Sequence, residues 1–342
     1  MTDDCENKLL YTGNIAIGSD NAGLFLKKEA SEYLINEGRR VLDLGANDPG
    51  PADYPDIARE VGSVLLGKAG GKGNHHLRPD GEKRGKLKQT QQPVLHMFTG
   101  PGEMNRFATG LILEQAALSV QRKGLFTMVL SGGRTPAGLY ELLSRDNTAR
   151  SMPWEKTHIF WGDERLVPRH SENSNFKLAR DKLLSRVKIP KTNVHPMSVD
   201  LESPEENARI SEQELLDFFR SHGPSEKAGR QKPFIPTFDL ILLGLGRDGH
   251  TASLFPGSPV LEETSRMIAA VTPGPDIFPH VPRLTLTLPV LNAARMIVFL
   301  VSGQDKHPAL KQVFEPVSGT VPPAGLVRPK EELIWLVHPS LV

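Results

Sequence analysis

The sequence predicts an α/β fold in which a mainly parallel, Rossmann-like sheet carries helices on both faces. Short apolar runs typical of buried strands recur along the chain, such as FDLILLGLG, MIVFLVSG and ELIWLVHP. Between such runs lie stretches with helical spacing, such as MNRFATGLILEQAALSVQRKG and PEENARISEQELLDFFRSHG. Alternation of this kind favours parallel strands that are joined by covering helices.

The composition indicates a soluble protein. The chain has 342 residues with 41 basic and 40 acidic side chains, so no excess charge attracts nucleic acid or an anionic membrane. Cys5 is the only cysteine, which excludes internal disulfides and cysteine-based zinc sites and suits a reducing cytosol. The apolar runs are far shorter than a membrane span, and MTDDCENKLL lacks a signal-peptide pattern. We expect a cytoplasmic monomer or weak homo-oligomer with no nucleic-acid or membrane partner.

Three parts follow one another along the chain. Residues 1–70 alternate as β-α-β-α, beginning with the strand NIAIGSD, and are small for an independent core. Residues 71–95 are predicted to be a flexible linker, because glycine and basic residues dominate and little apolar surface is available to offset the ordering entropy. The adjacent histidines in the linker lack carboxylate or thiol neighbours, so we expect no metal there. Residues 96–342 form the main domain.

The segment LGLGRDGHTASLFPG contains the spacing G-x-G-x-x-G, which also occurs in dinucleotide-binding turns. A dinucleotide site requires a long helix that starts at the third glycine, and Pro256 and Pro259 cut any such helix short. The alternative is a tight turn in which Asp248 and Gly249 hold His250 at the end of a strand. Histidine is the natural general base at neutral pH, although a structural histidine is equally compatible with the residues alone.

The motif SGGRTP follows the apolar strand LFTMVL and precedes a helix. Ser131, Gly132 and Gly133 can turn backbone N–H groups toward a ligand, Thr135 is expected to cap the helix, and Pro136 is expected to be its first residue. The start of a helix adds partial positive charge, so the turn suits a phosphate. An ordinary strand-to-helix turn is the alternative, and a Walker loop is excluded because G-K-[ST] is absent.

Charged residues follow further strands. Asp163, Glu164 and Arg165 leave the run HIFWGDE and would meet a crevice, with surface ion pairing as the alternative. Just beyond, the SENSN run offers ligand contacts or a helix cap, and capping is favoured for Ser174. Arg283 opens the predicted strand in VPRLTLTLP, and Lys306 follows MIVFLVSG. Either cation alone would be a solvated charge, but together with the SGGRTP turn they could complete a phosphate clamp.

Residues 96–342 resemble the 6-phosphogluconolactonases. The resemblance is carried by SGGRTP, WGDER, LGLGRDGHTASLFPG and the basic residues at 283 and 306. This resemblance implies hydrolysis of a sugar-phosphate lactone to 6-phosphogluconate in the oxidative pentose phosphate pathway, without metal or cofactor. The larger superfamily includes glucosamine-6-phosphate deaminases, which share the Asp-Gly-His turn. The continuation H-T-A-S-L-F-P favours the lactonases.

The resemblance also implies roles for individual residues. His250 would activate water, and Asp248 would orient His250. Asp163 and Arg165 would line the end of the site where the reaction occurs. The substrate phosphate would be held by Ser131, Gly132, Gly133, Thr135, Arg283 and Lys306. The turn that is usually SGGSTP carries Arg134 here, at a site expected to face solvent. Either Arg165 or a loop N–H could stabilise the oxyanion.

The N-terminal motifs IAIGSDNAG and DYPDIA resemble the start of ribose-5-phosphate isomerase B. Asp20 matches that family, but Asn21 replaces its usual histidine, and its cysteine-bearing loop and second half are absent. We therefore expect residues 1–70 to be an inactive remnant or a docking element.

Two alternatives to the lactonase remain open: a sugar-phosphate isomerase or deaminase of the same fold, and a non-catalytic sugar-phosphate sensor. Neither G-x-S-x-G nor H-E-x-x-H occurs, so serine-esterase and zincin mechanisms have no support.

Overall fold

The computed structural model describes residues 14–19, 40–45, 93–222, 234–316 and 321–338. The strands of its main sheet are β1 (Asn14–Ser19), β2 (Arg40–Gly45), β3 (Val94–Met97), β4 (Phe126–Leu130), β5 (Thr157–Trp161), β7 (Leu240–Gly244), β10 (Met296–Ser302) and β11 (Glu332–His338). They form eight strands in the order β2-β1-β3-β11-β10-β7-β4-β5, and every pairing is parallel. The predicted α/β class with a mainly parallel sheet is confirmed.

The N-terminal strands join the same sheet as the rest of the chain. The predicted strands NIAIGSD and RRVLDLGA contain β1 and β2, and β1 pairs in parallel with β3. Strand β3 begins at Val94, inside the last residues of the segment 71–95 that the sequence assigns to a linker. The rest of that segment up to residue 92, and the two helices predicted in residues 1–70, lie outside the described residues.

A second sheet lies beside the main one. Its strands are β6 (Asp163–Arg165), β8 (Ile268–Val271) and β9 (Arg283–Leu286), in the antiparallel order β6-β9-β8. The prediction of one strand over HIFWGDE was therefore wrong, because β5 ends before Gly162 and β6 begins after it. The Gly162 N–H donates to Leu130 of the main sheet (2.9 Å), and its carbonyl accepts from Leu286 of the small sheet (2.8 Å). Gly162 is thus the joint between the two sheets.

Helices follow the strands, and the two short ones over residues 146–151 and 288–293 were not predicted from the sequence. The helices are α1 (Pro101–Lys123), α2 (Thr135–Leu143), α3 (Asp146–Ser151), α4 (Asn175–Lys182), α5 (Pro204–His222), α6 (Leu288–Ala293) and α7 (His307–Phe314). In α1, Met104, Ala108 and Ile112 are buried at a four-residue spacing. The helix ends at Gly124, which has a left-handed φ of 83° and whose N–H bonds the Val120 carbonyl.

Each central strand contributes to a hydrophobic core on both faces of the main sheet. In β10, Ile297, Phe299 and Val301 pack with residues of α5, α6 and α7, whereas the alternate side chains pack with α1 and α2. The Phe299 ring stacks on Trp335 of β11 with centroids 3.8 Å apart. A sheet that is apolar on both faces leaves its strand ends as the natural place for polar function.

Asp239 ties β7 to β4 at the amino end of the sheet. Its Oδ2 accepts hydrogen bonds from the Thr127 N–H (2.8 Å) and hydroxyl (2.9 Å) and pairs with Lys123 at 2.8 Å. The Asp239 side chain is 1% exposed, so these partners replace water. This contact sets the register of the two strands from which the SGGRTP turn and the His250 loop emerge.

We expect Asp239→Ala to lower the free energy of unfolding by about 1–3 kcal/mol, because the buried Thr127 donors lose their acceptor. Urea unfolding followed by circular dichroism measures this change. Asp200→Ala is the control, since Asp200 is 70% exposed in its pair with Arg169, and we expect it to stay within about 0.5 kcal/mol of the parent. Equal stability of the two variants would contradict the structural role of Asp239.

Candidate active site

The carboxyl edge of the main sheet opens into a cavity of about 1060 Å³. The loops after β4, β5, β7 and β10 supply its walls, as expected for a parallel sheet. The lining includes every residue that the sequence singled out for catalysis or phosphate binding: Ser131, Gly132, Gly133, Thr135, Asp163, Arg165, Asp248, His250, Arg283 and Lys306. Segments far apart in the sequence therefore meet in one place.

The SGGRTP turn is held from behind by Tyr140 of α2. The Tyr140 hydroxyl bonds both the Ser131 N–H (3.1 Å) and the Ser131 carbonyl (2.6 Å). Burial raises the pKa of Tyr140, so its hydroxyl stays neutral and can donate. The Ser131 hydroxyl is buried and has no hydrogen-bond partner among the described residues. A buried, unpaired hydroxyl beside a cavity is available to a ligand.

The glycines of this turn have distinct roles. A Cβ at Gly132 would lie 1.9 Å from the Asn175 side-chain oxygen, so the turn and α4 approach too closely for any other residue. Gly133 has a left-handed φ of 95° that other residues rarely adopt. The prediction that Thr135 caps α2 was wrong, because α2 already begins at Thr135 and its cap position is Arg134 without a side-chain cap bond. The Arg134 side chain is exposed at the cavity rim.

Asp163 and Glu164, the two acidic residues after β5, are both buried but have different roles. Glu164 accepts hydrogen bonds from the N–H groups of Asn175 (2.8 Å) and Phe176 (2.7 Å) at the start of α4. Burial raises the pKa of Glu164, and these backbone bonds oppose that shift. The capping role favoured for Ser174 is confirmed, since its hydroxyl accepts from the Lys177 N–H at 3.1 Å. Glu164 thus anchors a helix, whereas Asp163 lines the cavity.

Arg165 and Arg283 occupy opposing positions on β6 and β9. Arg165 donates to the Asn173 carbonyl at 2.8 Å, and Arg283 donates to the Pro279 carbonyl at 3.1 Å. The Arg283 guanidinium lies 5.4 Å from the centroid of the Phe255 ring. Burial and the charge of Arg165 lower the pKa of Arg283, and the Nε of each arginine has no partner among the described residues. Two adjacent cations with unused donors form a preorganised site for an anion.

His250 is fixed by the loop that follows β7. Its Nδ1 bonds the Asp248 carboxylate at 2.5 Å, so Nε2 is the ring nitrogen left for a ligand. Burial alone would raise the pKa of Asp248, but the hydrogen bonds and charge of His250 outweigh it and lower the pKa. A Cβ at Gly246 would lie 2.1 Å from that Nδ1, and a Cβ at Gly249 would lie 2.5 Å from Pro322. The glycines therefore make room for the histidine and for a neighbouring loop.

Lys306 also lines the cavity, beside the acidic residue Asp305, which the sequence did not indicate. The Asp305 carboxylate lies 3.5 Å from Lys306 Nζ and 2.7 Å from Arg247 Nε. Hydrogen bonding from Arg247, followed by the charge of Lys306, lowers the pKa of Asp305. The Asp305 carboxylate thus pairs with two cations at the rim of the cavity. Its position directly before Lys306 in the sequence is the signal from which this role could have been predicted.

Ser253 was also missed. Its hydroxyl donates to Asp163 at 2.7 Å, across a sequence distance that no local pattern reveals. Across the described ranges no group of three or more histidine, cysteine or acidic residues could hold a metal ion. In those same ranges no helix is long and apolar enough to cross a membrane.

Fold and cavity together define a parallel α/β protein with a cationic small-ligand site at the carboxyl edge of its sheet. A family model described as glucosamine-6-phosphate isomerases/6-phosphogluconolactonase matches residues 101–335, and the chain belongs to this family. A second family model, described as ribose/galactose isomerase, matches residues 15–73. Both resemblances seen in the sequence are therefore confirmed.

Named relatives support the assignment to this family. The 6-phosphogluconolactonase of a Synechocystis strain is 44% identical over 220 residues, which cover 64% of this chain and 84% of the relative. The chloroplastic 6-phosphogluconolactonase 3 of Arabidopsis thaliana is 37% identical and is matched over 64% of each chain. The crystal structure of 6-phosphogluconolactonase from Thermotoga maritima aligns with a TM-score of 0.60 at 31% identity, covering 72% of this chain and 100% of that one.

We expect Gly246→Ala to break the Asp248–His250 hydrogen bond, because the added methyl group occupies the position of the imidazole edge. Overpacking of this kind typically costs about 1–3 kcal/mol of stability. Nitrogen-15 NMR of the histidine rings measures the change as a shift of the His250 Nδ1 resonance. Gly274→Ala is the control, since a Cβ there meets nothing within 4 Å. An unchanged His250 resonance in the Gly246 variant would refute the contact.

Proposed function

We propose that this protein hydrolyses 6-phosphogluconolactone to 6-phosphogluconate, a step of the oxidative pentose phosphate pathway. The matched relatives bear the name 6-phosphogluconolactonase. One observation carries the proposal: a single cavity combines a cluster of cations with an imidazole whose Nδ1 is bonded to a carboxylate. Such a cavity can hold a phosphate at one end and activate water at the other.

The proposed phosphate site combines backbone donors with full positive charges. Ser131 offers a free hydroxyl, and the glycine turn and the start of α2 at Thr135 offer N–H groups. Arg283 and Lys306 add the charges that neutralise a phosphate dianion. Because these donors are fixed before the ligand arrives, little entropy is lost when it binds.

The proposed reaction begins when His250 Nε2 removes a proton from water. The resulting hydroxide attacks the lactone carbonyl carbon and gives a tetrahedral oxyanion. Collapse of this intermediate breaks the bond to the ring oxygen, and the His250 imidazolium returns its proton to that leaving oxygen. The product is a ring-opened hydroxy acid, which ionises at neutral pH. A positioned general base contributes about 10²–10⁴-fold to such a rate.

Neighbouring residues support this cycle. Asp248 holds the imidazole in the tautomer with a free Nε2 and stabilises the imidazolium. Arg165 and the loop N–H groups are the available donors for the oxyanion, and removal of such a donor typically costs about 2.7–4 kcal/mol. Asp163 lines the same wall, but both of its carboxylate oxygens accept protein hydrogen bonds, so we assign it no proton transfer. The proposed steps use only side chains and water.

A lactone assay corrected for spontaneous hydrolysis tests the proposal on the full chain. We expect 6-phosphogluconolactone to disappear well above background and glucosamine 6-phosphate to remain intact. Turnover of glucosamine 6-phosphate would instead indicate a deaminase. Binding of 6-phosphogluconate without accelerated hydrolysis would indicate a sensor.

We expect His250→Ala to lower kcat for the lactone by about 10²–10⁴-fold, because the general base is lost. Binding of 6-phosphogluconate, measured by calorimetry, should stay nearly unchanged because the cations remain. Exposed His307→Ala, at the start of α7, is the control and should keep full activity. Near-full activity of the His250 variant would refute its role as the base.

We expect removal of residues 1–90 to leave kcat nearly unchanged, because all described residues that line the cavity lie at or beyond Pro101. The melting temperature should fall, since β3 then loses its pairing with β1. Activity and thermal unfolding of the full and shortened chains measure both effects. A shortened protein that folds but cannot hydrolyse the lactone would give the N-terminal segment a catalytic role.

A cytoplasmic location and a monomeric or weakly oligomeric state complete the proposal. The Arabidopsis relative is named as chloroplastic, so the compartment differs within the family. Cell fractionation and light scattering test the two points.

A further inference from the structure

The carboxylate of Asp163 lies between the two ends of the proposed active site. Its Oδ1 accepts a hydrogen bond from the Asn175 side chain (3.1 Å), and its Oδ2 accepts one from the Ser253 hydroxyl (2.7 Å). Asp163 is 6% exposed. Both oxygens are thus bonded to protein groups, which is the pattern of an anchor and not of a group that exchanges protons with a ligand.

On one side, Asn175 links Asp163 to the phosphate-binding turn. A Cβ at Gly132 would lie 1.9 Å from Asn175 Oδ1 and 2.3 Å from its Cγ, so the amide packs directly against the turn. The same amide donates to the Asp163 backbone carbonyl at 2.9 Å. Two hydrogen bonds fix its orientation, and the position of the turn therefore depends on Asp163.

On the other side, Ser253 links Asp163 to the loop of His250. Ser253 is fully buried, and its N–H donates to the Thr285 hydroxyl at 3.2 Å. Ala252, between His250 and Ser253, has a left-handed φ of 47°. A residue other than glycine keeps that conformation only where its surroundings hold it. The bond from Ser253 to Asp163 is one of the contacts that hold this segment.

We propose that Asn175, Asp163 and Ser253 form a strut that fixes the distance between the phosphate-binding turn and His250, with Asp163 as a positioning residue in lactone hydrolysis. The proposal rests on the proposed function. The turn at one end of the substrate determines where the carbonyl carbon lies, and His250 determines where the water lies. A misplacement of about 1 Å between reacting groups can cost about 10²-fold in rate. Binding of the product uses each end separately and is less sensitive to their spacing.

The test compares Ser253→Ala, Asn175→Ala and the double variant with the parent chain. We expect each single variant to lower kcat by about 10-fold or more, because the spacing is no longer fixed. Calorimetry should find the Kd of 6-phosphogluconate within about 3-fold of the parent, since the donors on both sides remain. The kcat of the double variant should be little lower than that of the more impaired single variant, because the loss of one hydrogen bond already breaks the strut.

Two controls remove comparable buried hydrogen bonds elsewhere. Ser211 is 4% exposed and accepts from the Ser198 N–H at 2.8 Å, while Asn193 is 7% exposed and donates to the Glu155 carbonyl at 3.2 Å. Ser211→Ala and Asn193→Ala should lower the melting temperature and leave kcat unchanged. A general loss of rigidity would lower kcat in the controls as well.

Three results would overturn the strut. They are an unchanged kcat in both single variants, additive losses of kcat in the double variant, and a loss of 6-phosphogluconate affinity that accounts for the whole loss of activity. If one single variant fails to fold, the other still tests the proposal. Failure of the parent chain to hydrolyse the lactone counts against the proposed function, and the same variants are then compared on whichever sugar phosphate the parent turns over. An active parent with unaffected variants counts against the strut alone.

Discussion

The juxtaposition of two guanidinium groups, Arg165 and Arg283, is the constraint on which the architecture of the site depends. Like charges repel, and burial removes the water that would screen them. The carbonyls of Asn173 and Pro279 accept hydrogen bonds from the two guanidinium groups and hold them in place, and the ring of Phe255 lies against that of Arg283. The small antiparallel sheet places both on opposing strands. An anion that enters the cavity relieves the repulsion and meets donors that are already oriented.

Close contact between loops explains the glycine pattern better than a nucleotide does. The second and third glycines of G-x-G-x-x-G are needed here because Gly246 leaves space for the imidazole of His250 and Gly249 leaves space for Pro322. The Gly249 carbonyl also accepts a hydrogen bond from the Ala324 N–H at 3.0 Å, which joins the loop to a distant segment. The same glycine spacing that elsewhere admits a pyrophosphate serves in this chain to pack the His250 loop against its neighbours.

The sequence predicts what depends on local periodicity and fails where distant partners decide. The runs that became β7, β10 and β11 were recognisable because they are apolar on both faces, and the residues after the strands indicated the cavity. The small sheet was not predicted, because nothing in the residues HIFWGDE marks an end of one strand and a start of another. Only the pairing of β6 with β9, near Arg283, shows that two strands are present. The start of α2 was misplaced by one residue at Thr135. Ser253 could not be found, because its value lies in a bond to Asp163 formed 90 residues away.

The pairing of β3 with β11 has a consequence for how the protein is made. Residues 94–97 lie beside residues 334–337, so β3 cannot pair on this edge until β4, β5, β7 and β10 have been synthesised and β11 has followed them. Closing so long a loop has an entropic cost that local helix formation does not share. On the ribosome, β4 and β7 with their helices can assemble before β11 has been made and has completed the centre of the sheet. A chaperone that shelters this unpaired edge of β3 would therefore act from the synthesis of β3 until β11 pairs with it.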